Sequence, residues 1–143
     1  MIGFFEHQYL SYKKAHIQNL LALAKSDGSM HANEEALLYK IGKRYGLKDR
    51  QVAELIEKDE KFELRVPDNH HDKMNLLYDL ILMVYADGVV DEHEIAFCED
   101  AVIKFGMKKE LVAWLLAEFD RGTPPPPDEW DEIKEEARLK FLD

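Results

Sequence analysis

The feature that most constrains this chain is that it repeats itself. Displaced by sixty positions, residues 18–57 run beside 78–117 without a gap. Leu20 meets Leu80, Leu21 meets Ile81, and Leu23 meets Met83. Asp27-Gly28 meets Asp87-Gly88, Glu34 meets Glu94, and Tyr45-Gly46-Leu47 meets Phe105-Gly106-Met107. Val52 and Leu55 meet Val112 and Leu115. Apolar, glycine and acidic positions all keep their class in one register, so a structural duplication is the economical reading. Two copies are too few for a solenoid, which buries a continuous core only by stacking several units, and a pseudo-twofold globule is expected instead.

The spacing within each copy is helical. Ile17, Leu20, Leu21 and Ala24 fall at i, i+3, i+4 and i+7, one stripe of a helix within residues 4–25. That segment reads as one long helix or as two meeting near Ser11. A second helix, Glu34 to Tyr45, ends at Gly46, and a third, capped by Asp49, carries Val52, Leu55 and Ile56 inward. After a polar connector, Asp72 to Ala86 repeats the first helix and is expected to be the most buried. Glu92 to Phe105 buries Ile95, Cys98, Val102 and Phe105, and Lys108 to Phe119 closes the second copy. Gly122 to Pro127 reads as an extended spacer, because proline lacks the amide donor that a helix needs. Asp128 then caps a last helix with Trp130, Ile133, Ala137 and Phe141 on one face. No segment alternates as a strand does. The expected architecture is all-α, a single domain over 1–143 with repeats at about 15–58 and 72–119, a spacer at 122–127 and a C-terminal helix at 128–142.

At 143 residues such a domain buries on the order of two-thirds of its unfolded surface and needs no staples. The lone Cys98 leaves no internal disulfide and suits a reducing compartment, where it reads as a small core residue. The first residues lack the basic, apolar and small-residue order of a secretion signal, and the longest apolar run, Leu80 to Ala86, is too short to insert in a membrane. A cytoplasmic location is expected. The net charge of -10 arises entirely after residue 60, which argues against general nucleic-acid affinity.

Chemistry is concentrated in the acidic turns. In each copy an Asp-Gly is followed six residues after the glycine by a glutamate, and the second copy adds Asp91. Hard divalent cations take several oxygen ligands, and carboxylates flanking a tight glycine turn can be aimed at one spot. The spacing matches the second half of an EF-hand loop, but Leu23 and Lys25, or Met83 and Tyr85, stand where its first carboxylates belong, which excludes an EF-hand. Helix capping accounts for the same residues, since Asp91-Glu92-His93-Glu94 has the form of a capping box and acidic groups suit a helix N-terminus. Capping alone and capping with cation binding both stand.

The run Ala86-Asp87-Gly88-Val89-Val90-Asp91-x-x-Glu94 after an apolar helix, followed by a helix and a Phe105-Gly106 stop, resembles the tellurite-resistance TerB family and the TerB-like domain of some membrane-anchored co-chaperones. The resemblance covers roughly residues 15–120. It implies a compact helical fold with internal pseudosymmetry, a cytoplasmic stress-related role, a protein partner associated with membranes, and a divalent-cation site, Ca²⁺ or another such ion, at the acidic turns. Carried residue by residue, that site falls on Asp27 and Glu34 in the first copy and on Asp87, Asp91 and Glu94 in the second. His31 stands where an acid would be expected, and the proline spacer with its final helix is an addition.

Other signals point elsewhere. His70-His71-Asp72 reads as solvated connector rather than a transition-metal site. Lys40, Lys43, Arg44, Lys48 and Arg50, with Gly42, Gly46 and Val52 spaced as in a helix-turn-helix, form the rival reading, a nucleic-acid module. Glu54 and Glu57 would face the phosphates from the same helix, and the spacing recurs in the acidic copy. No phosphate loop, paired-cysteine motif or nucleophile with an evident base marks an enzyme. The expectation is therefore a non-enzymatic adaptor, with a purely structural interaction domain lacking metal as the third possibility. Oligomeric state is not encoded in any of these signals.

Overall fold

A computed structural model of the protein describes residues 4–26, 30–58, 63–86, 88, 90–119 and 123–142, with backbone alone for 4–10. The described residues form seven helices and no strand: α1 (Phe4–Ala24), α2 (Ala32–Arg44), α3 (Asp49–Glu57), α4 (His70–Tyr85), α5 (Glu92–Lys104), α6 (Glu110–Phe119) and α7 (Pro127–Phe141). The chain divides into two compact units, Met1–Arg65 and Val66–Asp143.

In the first unit α1 is one continuous helix, with no break near Ser11, and it packs on both α2 and α3, which also pack on each other. Its buried arc is wider than the predicted stripe: His16, Ile17, Asn19, Leu20, Leu21, Leu23 and Ala24 are all buried. The turn from α2 to α3 is set by two glycines. Gly46 adopts a φ of +83°, a left-handed conformation that costs a residue with a Cβ, and Leu47 N–H donates to Gly42 O at 2.8 Å to close the helix end. Gly42 itself is required by packing, since a Cβ there would lie 2.6 Å from Val52 Cγ2 on α3. The segment after α3 is tied back by Asn19, whose amide accepts from Arg65 N–H at 2.8 Å and donates to Arg65 O at 3.0 Å.

The second unit rebuilds the same local geometry. Like α2, α5 spans 13 residues; Gly106 has the same φ of +83°, and Met107 N–H donates to Val102 O at 2.9 Å. Helix α4 packs on α5, α6 and α7, and it buries Met74, Leu76, Leu77, Asp79, Leu80, Ile81, Met83 and Val84. Cys98 is fully buried among the core residues.

Three local expectations require correction. Asp49 is not the N-cap of α3; Lys48 holds that position, and its backbone N–H donates to Gln51 Oε1 at 2.9 Å. Asp128 is likewise one turn position inside α7, whose N-cap is Pro126 with Pro127 at the first helical place, where a missing amide costs nothing. The proline run is more than a spacer: Pro125 is buried and its carbonyl accepts from Tyr78 Oη at 2.9 Å. That contact, with Trp130 seated edge-on against Tyr78 and Phe119, settles α7 on α4 and α6. At its far end Phe141 O accepts from Lys108 N–H at 2.8 Å, and a single antiparallel bridge joins Met107 to Leu142. Among the described residues no helix is long and apolar enough to cross a membrane.

Candidate functional site: the buried helix-start glutamates

Both acidic turns lead into a helix whose third residue is a buried glutamate. Glu34 in α2 is 1% exposed and Glu94 in α5 is 4% exposed. An ionised carboxylate taken out of water is costly unless partnered, so two such burials sixty residues apart demand a cause. Part of it is local. The N-cap residues His31 and Asp91 are extended, with ψ of 153° and 133°, and their carbonyls accept the first helical bonds, from Glu35 N–H and Ile95 N–H, both at 3.0 Å. The glutamate three places on lies in the first turn, where unpaired amides and the positive end of the helix dipole favour a negative charge.

At the first turn His31 N–H donates to Glu34 Oε1 at 3.0 Å. Glu34 Oε2 is buried and has no hydrogen-bond partner among the described residues. At the second turn the cap is Asp91 itself, whose Oδ1 accepts from His93 N–H at 2.7 Å, two residues on rather than three. His93 Nδ1 lies 3.3 Å from the same oxygen. The His93 amide holds the Asp91 carboxyl below its ordinary value of 3.8, so it is ionised at neutral pH. Gly88, with a φ of +78°, supplies the left-handed turn that brings the chain from α4 to this cap.

Of the five residues expected at the acidic turns, Glu34, Asp91 and Glu94 therefore stand at helix starts, while Asp27 and Asp87 lie outside the described residues. Among the described residues no group of three or more His, Cys, Asp or Glu side chains comes together as a metal cluster. The donors at the helix starts include carboxylate oxygens, the atom type that hard cations take, and one Glu34 oxygen is buried and unshared among the described residues.

The basic residues of the rival reading, Lys40, Lys43, Arg44, Lys48 and Arg50, are all exposed around the α2–α3 turn. Arg44 sits 5.4 Å from the centre of the Tyr45 ring. Burial pushes the Cys98 thiol far up, which leaves it without nucleophilic character.

Several side chains that organise the site's surroundings are absent from the sequence expectations. Lys73 Nζ donates to Phe105 O at 3.1 Å and so closes the C-terminus of α5, while Lys13 Nζ comes within 3.2 Å of the place a Gly46 Cβ would take. Lys13 and Lys73 are again sixty apart, a correspondence that precedes the ungapped core of the repeat and was visible there. Lys25 Nζ donates to Ile56 O at 3.2 Å, at the end of α3. His70 and His71 are not connector: they form the first turn of α4, capped by Asn69, whose Oδ1 accepts from Asp72 N–H at 2.8 Å.

Comparison of the chain with protein-family models, with curated proteins and with solved structures finds no match in any of the three.

Proposed function

We propose that this protein is a non-enzymatic, TerB-like adaptor whose acidic turns bind a divalent cation, Ca²⁺ before others, and thereby fix a surface for a protein partner. The observation that carries the reading is the pair of buried glutamates at equivalent places of α2 and α5, with Glu34 keeping one buried carboxylate oxygen unshared among the described residues. Capping uses only one oxygen of Glu34, and its second buried oxygen is a cost that a cation would offset. The all-helical architecture and the resemblance at Ala86 to Glu94 support the same assignment. When bound, the ion supplies charge neutralisation and rigidity to the turns. Asp27 and Glu34 would hold one ion in the first copy, and Asp87, Asp91 and Glu94 another in the second. A stress-related role, a membrane-associated partner and a cytoplasmic setting follow from the resemblance. The test is thermal melting of metal-stripped protein with and without Ca²⁺, Mg²⁺, Mn²⁺ or Zn²⁺. Binding at 100 times the dissociation constant raises stability by about 2.7 kcal/mol, a rise of several degrees. An unchanged melting temperature with every ion contradicts the proposal.

The second reading, a nucleic-acid module, has its own observation in the five exposed basic side chains around the α2–α3 turn. It predicts a salt-dependent duplex shift abolished by reversing those charges, whereas the adaptor reading predicts none even at low salt.

A further inference from the structure

The acidic turn of the second unit is joined to the end of α6 through one residue. Tyr85 closes α4, and its carbonyl accepts at 3.1 Å from the N–H of Gly88, the left-handed residue of the turn. Its side chain reaches the other way, Tyr85 Oη donating to Leu116 O at 3.0 Å. Leu116 O is among the last four carbonyls of α6, which have no acceptor role within the helix. The first unit makes the same contact with different chemistry. Lys25 stands sixty places before Tyr85, and its Nζ donates at 3.2 Å to Ile56 O, sixty places before Leu116. We propose that Tyr85, and Lys25 in the first unit, are positioning residues that couple the acidic turn to the end of the third helix, so that ordering of the turn steadies the last turn of α6 or of α3. The ligand that would use this coupling is the divalent cation of the proposed function, and its part here rests on that reading.

An ammonium and a phenol share little beyond a hydrogen-bond donor at the end of a long side chain, yet each is aimed at the corresponding carbonyl. In the first unit the Lys25 ammonium also lies 3.5 Å from Lys58 O, so it spans the terminus of α3. Helix ends open more readily than helix interiors because their last carbonyls lack helical partners, and one added donor acts most strongly there. Tyr85 is half-buried, which limits the competition of water for its bond to Leu116.

The direction follows from the two bonds of Tyr85. With the turn ordered, Gly88 N–H fixes the Tyr85 carbonyl, the last turn of α4 holds the phenol in place, and Leu116 O keeps its donor. With the turn loosened, Tyr85 is the frayed end of α4 and its hydroxyl leaves the α6 carbonyl to water. The effect is local. Helix α6 stays packed on α4 and α7, and Phe119 keeps its ring contacts with Tyr78 and Trp130; only the opening of the last turn follows Tyr85.

Amide hydrogen exchange on the full chain, followed at residues 113–119 of α6, tests the coupling in a cycle of Tyr85→Phe and Gly88→Ala. Tyr85→Phe removes the hydroxyl and keeps the ring; Gly88→Ala strains the turn through its φ of +78° and meets no atom within 4 Å. Both are expected to retain the parent's far-UV circular dichroism. In metal-free buffer Gly88→Ala is expected to speed exchange at 113–119 about two- to tenfold, the range one hydrogen bond supplies, and to add nothing once Tyr85→Phe is present. Additive effects of the two variants, or no response at 113–119 to Gly88→Ala, overturn the coupling whether or not an ion binds. Saturating Ca²⁺ is expected to slow exchange at 113–119 in the parent by a similar factor, and in Tyr85→Phe to protect the start of α5 alone. Ca²⁺ that protects the start of α5 in the parent but leaves 113–119 unchanged overturns the coupling and leaves the cation reading standing. No effect of Ca²⁺ anywhere contradicts the cation reading, while the cycle still decides the coupling. Lys25→Met is expected to speed exchange at 53–57, and an unchanged rate there overturns the assignment in the first unit.

Discussion

A glutamate three places into a helix commonly reaches back to the cap across a wet surface, whereas Glu34 does so from the interior and Glu94 is buried at the corresponding place. Glu34→Gln separates the two explanations. The amide keeps an oxygen for His31 N–H and removes a buried charge, so in metal-free buffer stability should hold or rise by up to about 1 kcal/mol, measured by urea melts. In saturating Ca²⁺ the same variant should lose the cation's stabilisation. Asp91 carries a pH dependence of its own. Its carboxyl is held low in the folded protein by the His93 amide, so its contribution is complete above the unfolded value and disappears as pH falls below about 4. Asp91→Asn should therefore flatten the acid limb of the stability curve without moving its neutral part. Cys98, buried with its thiol pushed up, should resist alkylation at neutral pH in the native protein and react within the unfolding transition.

At the scale of elements, α2 and α5 share a way of ending. Gly46 and Gly106 make the same left-handed stop, but only Gly42 is pinned by its neighbour across the α2–α3 contact; the equivalent place on α5 is Val102. Gly42→Ala should destabilise by about 1–3 kcal/mol, as expected when a methyl is forced into a filled contact with Val52. Gly106→Ala, which meets no atom within 4 Å, should cost only about 1 kcal/mol through its positive φ. Thermal melts of the two variants compare them directly. The helices and most of their inner faces were legible because apolar spacing at Ile17, Leu20, Leu21 and Ala24, or at Ile81 and Val84, survives any detail of packing. The helix starts were less legible. Lys48 caps α3 through its backbone, and Pro126 precedes α7, so the side-chain preference that pointed to Asp49 and Asp128 was answered one or two residues away. The Asn19 clamp on Arg65 and the Lys134 bridge to His71 join residues distant in sequence, and no local pattern announces such pairs.

Across the whole molecule, the excess acid after residue 60 makes cation binding and protein association more natural partners for this surface than phosphate. The repeated turn was visible in the sequence as acids at a fixed spacing, but burial was not: nothing in Asp-Gly and a following glutamate says that the glutamate lies inside. Calorimetric titration of the metal-stripped chain with Ca²⁺, Mg²⁺, Mn²⁺ and Zn²⁺, repeated on the double variant Glu34→Gln with Glu94→Gln, tests the cation assignment most directly. The account predicts saturable binding of Ca²⁺ that the double variant abolishes while its helical content is retained. Absence of heat with all four ions, or binding that the double variant leaves intact, would contradict it and leave the glutamates as capping groups alone.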